Sequence, residues 1–169
     1  NTKIWVMLCD ILMNQYEQGN EKLYLKQQYD TAAFFSVTKR MYETMAKFDS
    51  IDAHLNMPSP VLPKYRERHA QFLNSIRPNL FNGGTYFLHV KDYKTAYDYF
   101  DNYIKTDKQS LFIGYDYEHK DDLMPHAAYW AMYCGYKLGD TEKTMRYLNL
   151  AERDSSMLNF VRQYEASAY

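Results

Sequence analysis

The chain has 169 residues, the length of one ordinary domain, and can bury roughly two-thirds of its unfolded surface without disulfide or metal staples. Its 20 basic and 21 acidic residues leave a formal net charge of -1, which supplies no field for gathering nucleic acid or an anionic membrane surface. No apolar run reaches the eighteen or so residues that a membrane-spanning helix needs, so neither nucleic acid binding nor membrane insertion is expected.

Cys9 and Cys134 each fall inside an apolar helical pattern and read as small core residues. The compositional outlier is tyrosine, with 18 copies. Its apolar body and polar tip suit either a half-buried contact surface or core filling, and composition leaves both open. The first residue is Asn1 rather than methionine, as expected of a processed chain from which any targeting segment is missing, so the compartment is not legible.

Periodicity near 3.6 dominates from the start. Trp5, Leu8, Leu12, Tyr16, Gly19 and Leu23 form one stripe, with Gly19-Asn20 either ending a helix or weakening a single long one. After a turn at Tyr29-Asp30 the stripe Phe34, Val37, Met41, Met45, Phe48 predicts its partner, giving a degenerate helical pair over 2–50. Residues 52–63 hold Met57, Pro58, Pro60 and Pro63 and predict a loop, because proline cannot sit in a helix interior. Tyr65, His69, Phe72 and Ile76 predict a helix over 64–76, and Pro78 restarts the pattern at the first-turn position that tolerates it. A helical pair over 78–106 breaks at Lys91-Asp92 and resumes through Ala96, Phe100, Tyr103 and Ile104. Residues 107–121 are polar and aperiodic and predict a loop. A second pair over 123–153 follows, its first helix closed by Gly139, and Leu158, Val161 and Tyr164 predict a terminal helix over 156–168. The class is all-α.

The segment from Pro78 to Lys108 resembles the tetratricopeptide repeat, a helix-turn-helix unit of about 34 residues. Gly83-Gly84 take the close-approach positions, Asp92-Tyr93 the corner, Ala96 the helix contact and Phe100 the interface. From His126 to Ser155 the likeness is weaker, with Gly139-Asp140 at the corner but Thr141 and Thr144 in place of tyrosine and alanine; around Tyr29, Ala32 and Ala33 it is weaker still. Asp92 and Asp140 are further apart than one such repeat by about 14 residues, a surplus that matches the expected loop. The run from Arg77 to Gly84 also looks like a motif of uncharacterised bacterial proteins of this type, which implies no activity. The resemblance implies antiparallel helix pairs stacked as a right-handed superhelix, irregular in the N-terminal third, within a single domain.

His119, Asp121, Asp122 and His126 gather metal-ligand types within a short span, yet no helical His pair is formed, and a capping role for Asp121 or Asp122 ahead of the helix near Leu123 is simpler. Gly83-Gly84 have no preceding strand and no following Lys-Ser or Lys-Thr, so no phosphate loop is expected. His69 reads as a core or groove histidine, and His54 and His89 have no partners identifiable in sequence. No nucleophile sits in a catalytic pattern; catalytic residues, metal and cofactor are all expected to be absent.

The resemblance implies that first helices line a concave groove, which here would carry Phe81, Thr85, Leu88 and His89 from one unit and Tyr129, Trp130, Tyr133, Tyr136 and Lys137 from the next. Aromatic anchors favour a protein or peptide partner, unless the chain's own loop or terminal helix fills the groove. The expected function is a non-enzymatic binding or scaffolding module. The alternatives are a structural or regulatory part of a larger chain packed on a neighbouring domain, and then a small-ligand sensor or an α-helical enzyme. The apolar face Leu158, Val161, Tyr164 has no downstream helix to cover it, so continuation of the chain, back-packing or self-association through the terminal helix is expected.

Overall fold

The computed structural model describes residues 1–55 and 62–168. Those residues are all-α, without strands: α1 Thr2–Tyr24, α2 Thr31–Leu55, α3 Arg66–His89, α4 Tyr93–Lys105, α5 Tyr117–Lys120, α6 Met124–Lys137, α7 Thr141–Met145, α8 Leu148–Ala151 and α9 Leu158–Ala168. None of these helices is long and apolar enough to cross a membrane. The chain divides into two compact units: Asn1–Asn79 with Gln109–Ile113, and Leu80–Lys108 with Gly114–Tyr169.

Three helix corners use the same local chemistry. α1 ends with Lys26 at φ 55°, and the Gln27 amide donates to the Lys22 carbonyl at 2.8 Å. α3 ends with Lys91 at φ 61° and Asp92 N–H to Phe87 O at 2.9 Å; α6 ends with Gly139 at φ 67° and Asp140 N–H to Gly135 O at 3.0 Å. A left-handed residue with this long backward bond satisfies carbonyls that a helix end would otherwise orphan. An aspartate then starts each following helix: Asp30, Asp92 and Asp140 accept from the amides of Ala33, Thr95 and Lys143 at 3.1, 3.1 and 3.0 Å.

In the first unit α1 packs on α2, with Cys9, Leu12, Tyr16, Phe34, Met41, Met45 and Phe48 in the core. α1 runs unbroken through Gly19, where a Cβ would stand 2.9 Å from the Tyr29 ring. Asp49 is the polar hub. Arg66 of α3 donates to both its carboxylate oxygens, at 2.8 and 2.9 Å, and the Ser110 hydroxyl adds a third bond at 2.7 Å.

In the second unit α6 is central, packing on α4, α7, α8 and α9. Its closest approach is at Gly135, where a Cβ would lie 2.5 Å from the Thr144 amide nitrogen and 2.7 Å from the Lys143 carbonyl carbon. A Cβ at Gly84 would meet the buried Phe100 ring at 2.7 Å, and Ala96 is wholly buried.

The structure differs from the sequence pattern in four places. α3 is one helix through Pro78, not a helix over 64–76 and a restart. Pro78 removes one helical bond, and the buried side chains on either side, Leu73 and Leu80, hold the helix to the cores. α2 extends to Leu55, so residues 52–55 are helical rather than loop; Met57, Pro58 and Pro60 lie outside the described residues. The expected loop over 107–121 is built from 3₁₀ turns at Thr106–Lys108 and Ser110–Phe112, followed by α5. It is ordered by burial of Leu111, Phe112 and Tyr117. The second helix of the 123–153 pair is split into α7 and α8, with Tyr147 at φ -116°, ψ 23° and its hydroxyl donating to Asp101 of α4.

Because the Gly135 clash is with backbone, which cannot swing away, Gly135→Ala and Ala96→Leu should each destabilise by about 1–3 kcal/mol. Thermal melts check this, and a Gly135→Ala protein melting with the parent contradicts the close approach. Asp49→Ala strands the Arg66 charge and should cost about 3–5 kcal/mol, against at most about 1 kcal/mol for breaking the exposed Lys39–Glu43 pair. Urea titration of the two variants compares them.

Candidate functional site

α6 divides its residues by size. Ala127, Ala128, Ala131, Cys134 and Gly135 are buried and let α4 and α7 come close. His126, Tyr129, Trp130, Tyr133 and Tyr136 follow one another at helical spacing, and the rings from His126 to Tyr133 meet one another. His126 meets Tyr129 at 6.5 Å and Trp130 at 6.0 Å between centroids; Tyr129 meets Trp130 at 5.0 Å and Trp130 meets Tyr133 at 5.6 Å. Such offset and edge-on pairs add to the area term of burial. The Phe81 ring stacks on His126 at 6.2 Å, Tyr93 meets Tyr133 edge-on at 6.1 Å, and the Lys137 ammonium lies 5.6 Å from the Tyr133 ring.

α9 lies along this stripe. Tyr164 contacts Tyr129, Tyr133 and Tyr136 at 6.4, 6.0 and 4.8 Å, while Val161 is fully buried. The terminal helix therefore packs back on α6, α7 and α8, one of the three ways of covering its apolar face that the sequence leaves open. The turn into α9 is tied at Asp154, whose carboxylate lies 2.9 Å from His126 Nδ1 and accepts from the Ser156 amide and hydroxyl at 3.1 and 2.6 Å. Burial pushes this carboxyl up, but the bonds from Ser156 and His126 outweigh it and hold it below the ordinary range.

The groove residues inferred from sequence divide three ways. Phe81, Tyr129, Trp130, Tyr133, Tyr136 and Lys137 come together around His126 and Tyr164. Tyr129 is only 5 % exposed, so it acts as core, whereas Tyr136 is 43 % exposed and Trp130 and Tyr133 are half-buried. Thr85 and Leu88 are half-buried and His89 is exposed; the Thr85 hydroxyl donates to the Phe81 carbonyl at 3.3 Å within its own helix. Tyr93, Tyr164 and the His126–Asp154 contact were not read as parts of this surface. Tyr93 and Tyr164 were visible as aromatics at a corner and on the terminal stripe, whereas nothing local joins His126 to Asp154.

The four candidate ligands His119, Asp121, Asp122 and His126 all border the wider of two depressions in this unit, but each that is bonded is engaged elsewhere. His119 Nδ1 lies 2.7 Å from Asp116, Asp121 accepts from the Tyr103 hydroxyl and from the Leu123 amide, and His126 faces Asp154. Among the described residues no group of three or more His, Cys, Asp or Glu side chains is placed to hold a metal ion. Both thiols are buried; desolvation, aided by Asp10, pushes Cys9 up to about 11 and desolvation alone pushes Cys134 to about 12, which favours the neutral thiol at both positions.

Two depressions in this unit share Glu118 and Arg153, which are joined by a 2.9 Å ion pair. One, of about 310 Å³, has an apolar floor of Ile104, Met124, Tyr147 and Leu150. The other, of about 430 Å³, is wider and polar and includes His126 and Asp154.

Compared with family models, with curated proteins and with solved structures, the chain matches none.

Burial, followed by the neighbouring Tyr164 hydroxyl, pushes Tyr129 up to about 12, and burial likewise raises Tyr97 to about 12. Unfolded phenols release their protons near pH 10, so the folded state holds more protons between about 10 and 12 and stability must fall as pH rises through that window. Thermal melts across it should show the loss, with a shallower slope in Tyr129→Phe.

Proposed function

We propose that the chain is a non-enzymatic, tetratricopeptide-like helical module that binds a protein or peptide segment. The observation that carries this reading is the part-exposed aromatic ridge of Trp130, Tyr133 and Tyr136 on α6, with Tyr93 beside it and Lys137 at its edge. Tyrosine and tryptophan give large contact area at small cost in side-chain entropy, and they dominate binding energy where they cluster. Ring contacts with Tyr93 and with Tyr164 of α9, which covers part of the ridge, hold it in place, so binding needs little further ordering.

A second reading, a structural part of a larger chain, draws on a different surface. Ile4, Met7 and Ile11 fall at steps of three and four along α1 and are 64, 61 and 48 % exposed. That stripe would suit packing against a neighbouring domain.

Tyr133→Ala should weaken partner binding by about 2 kcal/mol, roughly thirtyfold, and leave the fold intact by circular dichroism. The partner is first captured by cross-linking to the parent chain, and its affinity is then measured for parent, Tyr133→Ala and Met7→Ser. Loss confined to Met7→Ser moves recognition to α1 and favours the second reading.

A further inference from the structure

We propose that the smaller cleft of the second unit is a binding site for an amphiphilic monocarboxylate, a compact apolar body with one anionic head. It shares no residue with the aromatic ridge and stands independently of the reading above.

At about 310 Å³ the cleft falls at the lower end of the range for small-molecule pockets, about 300–1,000 Å³. Its floor is the side chains of Ile104, Met124 and Leu150 and the flank of Tyr147, whose hydroxyl is engaged with Asp101. Apart from the exposed Asn149 amide, the uncharged lining is apolar, so it favours an apolar ligand body.

The rim carries the opposite chemistry. Lys105, Lys108, Arg146 and Arg153 line the cleft against two carboxylates, Asp107 and Glu118. Among lining residues four cations face two carboxylates; Lys105 and Arg146 also pair with Asp101 and Glu142 outside the lining, and Lys108 is shared between Asp107 and Glu118, 3.0 Å from each. The focus is at Glu118. Lys108 Nζ lies 3.0 Å from one of its oxygens and Arg153 Nη2 lies 2.9 Å from the other. Their hydrogen bonds hold the Glu118 carboxyl below the ordinary range. Two cations thus converge on one point at the mouth, each with further N–H donors. A ligand carboxylate placed beside Glu118 meets an ammonium and a guanidinium fork already held in place, the arrangement that favours a carboxylate over a neutral or cationic head.

The test titrates octanoate, octan-1-ol and octylammonium into the chain and follows the Met124 methyl resonance. Octanoate should saturate and bind about tenfold more tightly than the alcohol, with octylammonium weakest. N-acetylleucine run against its amide separates a peptide's terminal carboxylate from a free acid, and preference for either carboxylate over its neutral twin supports the site. Leu150→Trp should fill the cleft and abolish the shift. Arg153→Gln with Lys108→Gln, both on exposed side chains, should erase the advantage of octanoate over octanol without moving the melting temperature. Absence of saturation, equal affinity for the three head groups, or an octanoate preference that survives the double variant would overturn the proposal.

Discussion

The second unit rests on one steric constraint, the approach of α6 to the α7 backbone at Gly135. There is room for a hydrogen and none for a methyl, because the Thr144 amide nitrogen and the Lys143 carbonyl carbon stand where a Cβ would be. Ala127, Ala128, Ala131 and Cys134 extend this slim side along the helix. α6 can therefore sit deep among α4, α7, α8 and α9, burying Met124, Tyr129 and Met132 together with its small residues. Of its large side chains, Trp130, Tyr133 and Tyr136 stay part-exposed.

Tyrosine serves both purposes, and burial decides which. Tyr42, Tyr97, Tyr99 and Tyr103 are among the largest fully buried side chains, and Tyr16, at 4 % exposed, is nearly so. Several of their hydroxyls find partners inside: Tyr16 with Asn79 at 2.6 Å, Tyr42 with the Leu73 carbonyl, Tyr103 with Asp121. A phenol can fill a core when its one polar atom is satisfied. Other rings stay in reach of solvent, among them Tyr24 at 84 % exposed and the half-buried Tyr93 and Tyr133, so the tyrosine excess serves the core and the surface alike.

Charge is used at two depths. Asp49 and Arg66 form a nearly dry pair whose side chains are 2 and 14 % exposed, with Ser110 occupying a remaining lone pair; this is costly to break and orders the 109–113 segment in the first unit. The pairs around Glu118 are solvated and add little stability. Their effect is geometric, since they hold cations at the rim of an apolar cleft.

Helix corners were legible in the sequence because the physics that ends a helix is local. Lys91-Asp92 and Gly139-Asp140 combine a left-handed residue with an aspartate cap, and both act within a few residues of chain. The all-α class and the stripes of α1 and α2 were legible for the same reason, as was the back-packing of α9 as one of three ways to cover its apolar face. Continuity of α3 through Pro78, the break at Tyr147 and the ordering of residues 109–113 were not, because partners distant in sequence impose them: core burial of Leu73 and Leu80, Asp101, and Asp49. The split between Tyr129 as core and Tyr136 as surface likewise belongs to the assembled unit, since both share one helix. His126 and Asp154 are 28 residues apart, and no periodicity links them. Local propensity determined the helix corners at Lys91-Asp92 and Gly139-Asp140; tertiary packing decided where α3 and the α7–α8 segment continue or break and which faces are left exposed, because exposure belongs to the assembled unit and not to any segment of it.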